Sequence, residues 1–414
     1  MDQAYRRKDS PPVLLASRRP IFDRRQRVWA YELRLNSPGG ESLSWLERFR
    51  SDKDSAEGEQ TQDVLQSLTG NKRGLVEMSV GEILLGAAEL LPENWLVRPL
   101  AGLSEPNPRL HDALKAIKES GRGIVLGTAL GKADEALAEL ADVLAENYAA
   151  QIPAPPPSDV ARSGRSRLAL KVDTPEQFCL AKEQGFKYFQ GQFYVRPQVE
   201  EEEKPLPAFR TNQLRLLQEI HVPEMRFGRL EEIISNDVSL AYDLLRYINS
   251  PFFSLRVTVS SIKQALALLG EEEVRKWISV VVLTRASEGK PHELAVLSLV
   301  RALFFSEAGR LAGLGARSGD LFMAGLFSLL DAFFDRPLAH VLKGIPLDKD
   351  IVAALLGSRT LLSGVVDLAL AYEANEWPEV NRAAIELNMD PRKLLKCYHQ
   401  AVTGAREFFR EQPA

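Results

Sequence analysis

Cysteine and histidine are scarce in this chain, with 2 Cys and 5 His among 414 residues. Cys179 and Cys397 are far apart and no CxxC occurs. That excludes a disulfide framework, argues against a thiolate zinc site and fits a reducing compartment. Basic residues are not in excess either: 52 Lys and Arg stand against 56 Asp and Glu, for a net charge of −4. The chain as a whole therefore does not advertise nucleic-acid binding. No run approaches the ~18 uncharged apolar residues of a membrane span. The most apolar stretch, Leu321 to Phe334, is shorter and contains Asp331. No apolar segment follows the basic opening MDQAYRRKDSPP, so no signal peptide and a cytoplasmic location without membrane contact are expected. What remains is an ordinary globular composition, 45% hydrophobic and 26% charged, long enough for two or three domains.

Two breaks organise the chain. One is the proline-rich stretch Ile152 to Asp159 with the Arg/Ser/Gly run after it; the other is Glu200 to Pro207, a like-charged run closed by two prolines. Before the second break, Val28 to Leu33, Leu75 to Ser79, Trp95 to Val97, Gly123 to Leu126 and Leu168 to Val172 read as strands. Pro108 to Ser120 and Ala133 to Tyr148 carry helical spacing. This alternation predicts a parallel α/β sheet or barrel. After the break the pattern is helical throughout: Leu240, Leu244, Leu245 and Ile248 form one stripe. Asp237 is a candidate N-cap, Ser261 with Gln264 a candidate capping box, and Gly270 a helix end. The expected division is a flexible 1–12, an α/β domain over 13–199 with a loop at 151–167, a linker at 200–207 and an all-helical domain over 208–414.

Several chemical motifs have plainer readings. His111-Asp112 is the one HD dipeptide, but it opens a helix in the α/β half, where an early Asp suits the helix dipole. Gly127-Thr-Ala-Leu-Gly-Lys132 has three residues between its glycines where a phosphate loop needs four. The arginines Arg18, Arg19, Arg24, Arg25 and Arg27 suit phosphate, although Phe22 to Gln26 also reads as a polar turn between strands. The phenylalanines between Phe304 and Phe334 fit a core or an interface, with the Phe304-Phe305 and Leu321 to Phe334 segments as candidates for an interdomain face.

Arg18-Arg-Pro-Ile-Phe with Tyr31-Glu32-Leu33, and Tyr188-Phe-Gln190-Gly191 with Arg196-Pro197, resemble the opening and closing motifs of EAL-type cyclic di-GMP phosphodiesterase domains. Ile234 to Ala241, Leu245 to Ser250 and Ser261 to Gly270 resemble the HDOD domain, a relative of HD phosphohydrolases without their metal ligands. Together they resemble the hybrid EAL–HDOD signalling proteins. The fold this implies is multidomain, an incomplete TIM-barrel-like EAL domain followed by an all-α helical bundle.

The resemblance also implies a lost active site. The family's first Glu corresponds to Glu32, but its Asn corresponds to Glu77, its next metal Glu to Arg98 and its paired aspartates to Gly127 and Thr128. A Lys and an Asp correspond to Ala145 and Asn147, and a later Glu to Leu170, while Asp173 and Gln190 survive. Hard divalent cations need several fixed oxygen ligands. No metal, cofactor or enzymatic activity is therefore expected, and Glu32 is expected to bond to Arg98 or another nearby Arg. His221, His292, His340 and His399 lie in separate regions, so the helical half supplies no HD-type site. Residual nucleotide binding would fall to Arg18, Arg19, Arg34 and Gln190, and cyclic di-GMP is not an expected partner. The expectation is a bacterial signalling protein that acts by contact with other signalling proteins, as a homodimer by family habit. The alternatives are a nucleotide-binding sensor or a residual phosphodiesterase.

Overall fold

The computed structural model describes residues 15–36, 61–100, 107–127, 135–148, 165–198, 217–218, 220–222, 227–235, 237–249 and 258–411. They divide into two compact units: residues 1–193 with 371–382 and 390–399, and residues 194–370 with 383–389 and 400–414.

The first unit is an eight-stranded closed barrel. Its strands are β1 (Leu15–Asp23), β2 (Val28–Asn36), β3 (Arg73–Met78), β4 (Leu96–Pro99), β5 (Gly123–Gly127), β6 (Val143–Asn147), β7 (Ser166–Leu170) and β8 (Tyr188–Gln190). β2 through β8 run parallel, whereas β1 is antiparallel to both of its neighbours. A tight turn at Asp23 to Arg27 explains the reversal. Gln26 there takes a left-handed φ of 58°, and Asp23 Oδ1 accepts from the backbone N–H groups of Arg25 and Arg27. The ring of strands is closed, so the expected incompleteness does not extend to the sheet. Helices α1 (Thr61–Thr69), α2 (Val80–Leu84), α3 (Pro108–Glu119), α4 (Glu135–Leu140) and α5 (Pro175–Glu183) fall between strands.

The helix expected over Ala133 to Tyr148 is corrected: α4 ends at Leu140 and Val143–Asn147 is strand β6. Ala, Leu and Glu favour helix locally, but Val143, Leu144 and Ala145 pair with β5 on one side and β7 on the other. The barrel position overrides the propensity. Inside the barrel, Ile21, Ala30, Leu75, Leu96, Val125, Val143, Ala145, Leu168 and Tyr188 make one apolar layer.

The second unit is helical, with no strand among its described residues. It includes α6 (Phe227–Ser235), α7 (Val238–Ile248), α8 (Ile262–Ala286), α9 (His292–Leu311), α10 (Ser318–Phe327), α11 (Leu330–Phe334), α12 (Leu338–Leu342) and α13 (Lys349–Leu355). Asp237 accepts from Leu240 N and caps α7. Ser261 accepts from Gln264 N, the hydroxyl half of a capping box. Gly270 interrupts α8 with φ 74° and ψ 169°, a conformation open essentially to glycine alone, so the helix end expected there is present.

Phe304, Phe305, Phe322, Phe327, Phe333 and Phe334 are all buried. Ser298 Oγ donates to the Leu326 carbonyl, and a β-carbon on Gly325 would stand 2.5 Å from the backbone of Arg301. Helices α9 and α10 thus pack backbone against backbone. Of the two readings open for these phenylalanines, core or interface, their burial fits the core. No described helix is long and apolar enough to cross a membrane. Three further helices, α14 (Ser363–Ala374), α15 (Trp377–Glu386) and α16 (Leu394–Glu411), complete the chain.

Candidate functional site

Side chains alternate across a strand with period two, so the residue two places beyond an inward one also points inward. Two places beyond Ala30, Leu75, Leu96, Val125, Ala145, Leu168 and Tyr188 come Glu32, Glu77, Arg98, Gly127, Asn147, Leu170 and Gln190. These are the positions that the EAL resemblance marks as its site, and the register carries them to the C-terminal end of the barrel strands. Glu77 pairs with Arg98 across β3 and β4, Asn147 with Leu170, and Leu170 with Gln190. That end of an α/β barrel is where such folds place their chemistry.

What gathers there is a mixed-charge cage. Glu32 is fully buried, and a buried carboxylate needs partners. Arg98 Nη2 donates to Glu32 Oε1 at 2.8 Å and bridges to Glu77. Arg34 Nη2 donates to the same Glu32 oxygen at 3.2 Å, and its Nη1 lies 2.9 Å from Glu77 Oε2. Gln190 Nε2 donates to Glu32 Oε2. Two carboxylates thus face two guanidinium groups and an amide. Burial opposes the charge on Arg34, but the Glu32 and Glu77 carboxylates outweigh it and raise the Arg34 pKa above the usual guanidinium value. The expected bond from Glu32 to Arg98 is present, together with a second from Arg34.

The other named positions lie outside the cage. Gly127 ends β5, and Thr128 lies outside the described residues. Leu170 packs against the apolar layer. Asp173 is exposed and accepts from Gln192 N. Among the described residues, no three or more His, Cys, Asp or Glu side chains are grouped as if for a metal ion. His111 and Asp112 sit on α3 with exposed or half-exposed side chains 3.7 Å apart.

Arg18 and Arg19 are used within the unit. Arg18 Nη1 donates to the Leu68 carbonyl at 2.9 Å, and its guanidinium sits 4.3 Å from the centre of the Tyr31 ring. Arg19 Nη2 donates at 2.6 Å to the Ala374 carbonyl, the last of α14. Around it, residues from 371–382 and 390–399, which belong to the same unit, seal the start of β1. This half of β1 extends past β8, which pairs only with Ile21, Phe22 and Asp23. Tyr372 Oη donates to the Ala16 carbonyl and accepts from Ala16 N, Tyr398 Oη accepts from Arg18 N, and Ser17 hydrogen-bonds the Asn375 amide. Two tyrosine hydroxyls thereby satisfy strand groups that would otherwise be left unpaired. Nothing local in the stretch Ala371 to Trp377 announces this role.

In the helical unit His221 is buried. Its Nδ1 hydrogen-bonds the Leu217 carbonyl, while Nε2 has no partner and the ring stands edge-on to Phe327. Burial is the largest cause of its depressed pKa of about 4, with the nearby Arg275 acting in the same direction and the Leu217 bond against it. His292 is also lowered by burial.

Residues 206–333 match the family model described as the HDOD domain. The chain carries an HDOD domain. In the chain, the HDOD match follows the eight-stranded barrel. The chain is 32% identical over 228 residues to the cyclic di-GMP phosphodiesterase CdgJ of Vibrio cholerae, covering 55% of this chain and 52% of that protein. The match thus spans about half the length of that relative. The uncharacterised protein YuxH of Bacillus subtilis is 25% identical over 401 residues, covering 94% of this chain and 97% of that one. Among solved structures, the Bacillus subtilis YkuI protein with an EAL domain, in complex with cyclic di-GMP and calcium, aligns at 17% identity and a TM-score of 0.33. That alignment covers 63% of this chain and 73% of that one.

Proposed function

We propose that this chain is a non-catalytic bacterial signalling protein of the cyclic di-GMP network, working in the cytoplasm by binding other signalling proteins. The link to the network is supported by the name of the Vibrio relative. The non-catalytic reading rests on one observation, the pairing of Glu32 and Glu77 with Arg34 and Arg98 at the end of the barrel where its chemistry would sit. Two-metal phosphodiester hydrolysis needs carboxylates free to coordinate cations, in a site not already neutralised by guanidinium groups. Here each carboxylate is held by arginine, and a cation entering the cage would meet two like charges within a few ångströms.

The test is incubation of the full chain with cyclic di-GMP and Mg²⁺ or Mn²⁺, followed by separation of products. The expected outcome is intact cyclic dinucleotide. Linear product that disappears in Glu32→Ala would overturn the reading.

A further inference from the structure

The opposite end of the barrel carries a local excess of positive charge. Going round the ring, β8, β1, β2 and β3 are consecutive neighbours. Their N-terminal-end residues, with the β1–β2 turn, bring together Lys187, Arg24, Arg25, Arg27, Lys72 and Arg73, all exposed. Register fixes the proximity: Asp23 pairs with Tyr188, beside Lys187, and Ala30 pairs with Arg73. Arg24 Nη1 also reaches the Phe186 carbonyl at 3.2 Å. In the stretches 23–29, 71–73 and 186–188 the one carboxylate is Asp23, which bonds Arg27 through Nε and Nη2 at 3.0 and 2.9 Å. Five cations are left uncompensated locally, in a chain whose net charge is −4. At the middle of the arc Trp29 is half-buried, stacked on Tyr188 with ring centres 3.8 Å apart, and the Arg73 guanidinium sits over its ring at 5.7 Å.

We propose that this basic arc is a docking surface for a short acidic segment of a partner protein. Four strands at ~4.8 Å spacing give an arc roughly 14 Å across, the length of four or five extended residues. Arginine dominates the arc, and its planar fork matches a carboxylate with two hydrogen bonds. The setting of Trp29 argues against the other polyanions. Nucleic-acid binding that stacks bases needs an open ring face, but Tyr188 covers one and Arg73 sits over the ring. The indole is likewise held against the barrel rather than presented to a lipid interface. An arc of this charge would steer an acidic segment and lose affinity as salt rises. The surface lies at the opposite end from the Glu32 cage and does not depend on whether the cage is catalytic.

The experiment is fluorescence anisotropy of the full chain with fluorescein-labelled octaglutamate at low salt. Beside it run the triple variant Arg24→Glu, Arg73→Glu, Lys187→Glu and a charge-matched control, Lys115→Glu, Lys263→Glu, Lys343→Glu, whose positions are exposed elsewhere. Circular dichroism confirms that each is folded, and Arg24→Gln, Lys187→Gln replaces the triple if that does not fold. The expected result is at least a tenfold loss of affinity in the triple, about threefold in the double, and less than twofold in the control. Equal loss in triple and control would overturn the proposal, as would no binding to the parent chain. Tighter arc-dependent binding of polyuridylate or of anionic phosphatidylglycerol vesicles than of octaglutamate would also overturn it. Cyclic di-GMP turnover, measured on the same samples, reports separately on the non-catalytic reading.

Discussion

At the C-terminal end of the barrel strands Glu32, Glu77, Arg34 and Arg98 are mixed in sign and in direct contact, with Glu32 fully sealed from water. In the arc at the N-terminal end, over β8, the β1–β2 turn and β3, six cations stand in solvent around one carboxylate, Asp23. The difference follows from desolvation. A charge taken out of water must meet an opposite charge or a hydrogen-bond donor, whereas an exposed charge is already stabilised by solvent and can stay unmatched. Buried charges in this unit therefore report on each other, and exposed ones are available to something outside the molecule.

The largest effect should come from unbalancing the buried end. Arg98→Met removes one of the two cations that hold the Glu32 and Glu77 carboxylates and should lower unfolding stability by about 3–5 kcal/mol in urea titration. A loss under about 1 kcal/mol would mean that the cage tolerates imbalance as an exposed surface does. His221 extends the contrast to a buried group with no counter-charge. Its folded-state pKa of about 4 lies below the ordinary 6.5, so the unfolded chain binds the proton first. Stability should be fully present above about pH 6.5 and fall towards pH 4 by up to about 3 kcal/mol, and His221→Leu should flatten that slope in urea titrations between those pH values. Next in size, Tyr372→Phe removes the hydroxyl that serves both Ala16 backbone groups and should cost about 1–3 kcal/mol in the same measurement. The smallest effect belongs to the exposed end: Arg27→Ala breaks its pair with Asp23 and should change stability by less than about 1 kcal/mol. If Arg27→Ala matched Arg98→Met, the distinction between the ends would fail.

The fold was legible where apolar runs were short and bounded by turn residues. Val28 to Leu33 and Gly123 to Leu126 are strands, Asp237 and Ser261 cap helices, and Gly270 breaks one. Val143 to Asn147 was misread because alanine, leucine and glutamate carry no mark of a barrel position that only their neighbours impose. The Glu32–Arg98 contact was legible because the EAL resemblance places both positions in one site. Arg18 and Arg19 were not legible in the same way: arginine looks ready for phosphate in any sequence, and the carbonyl that holds Arg19 lies 355 residues away. The phenylalanines of α9 and α10 show a related limit, since helical spacing marks an apolar face without saying what covers it.

The seal on β1 has a consequence in time as well as in space. Ala16 and its partner Tyr372 are separated by 356 residues. At ~5–20 residues per second the ribosome needs roughly 20–70 s to travel between them. Throughout that interval the first strand of the barrel has been made and the hydroxyls that complete its edge have not. A fragment truncated after the last barrel strand would remain in that unfinished condition permanently, with backbone groups of its first strand open to pairing with another chain.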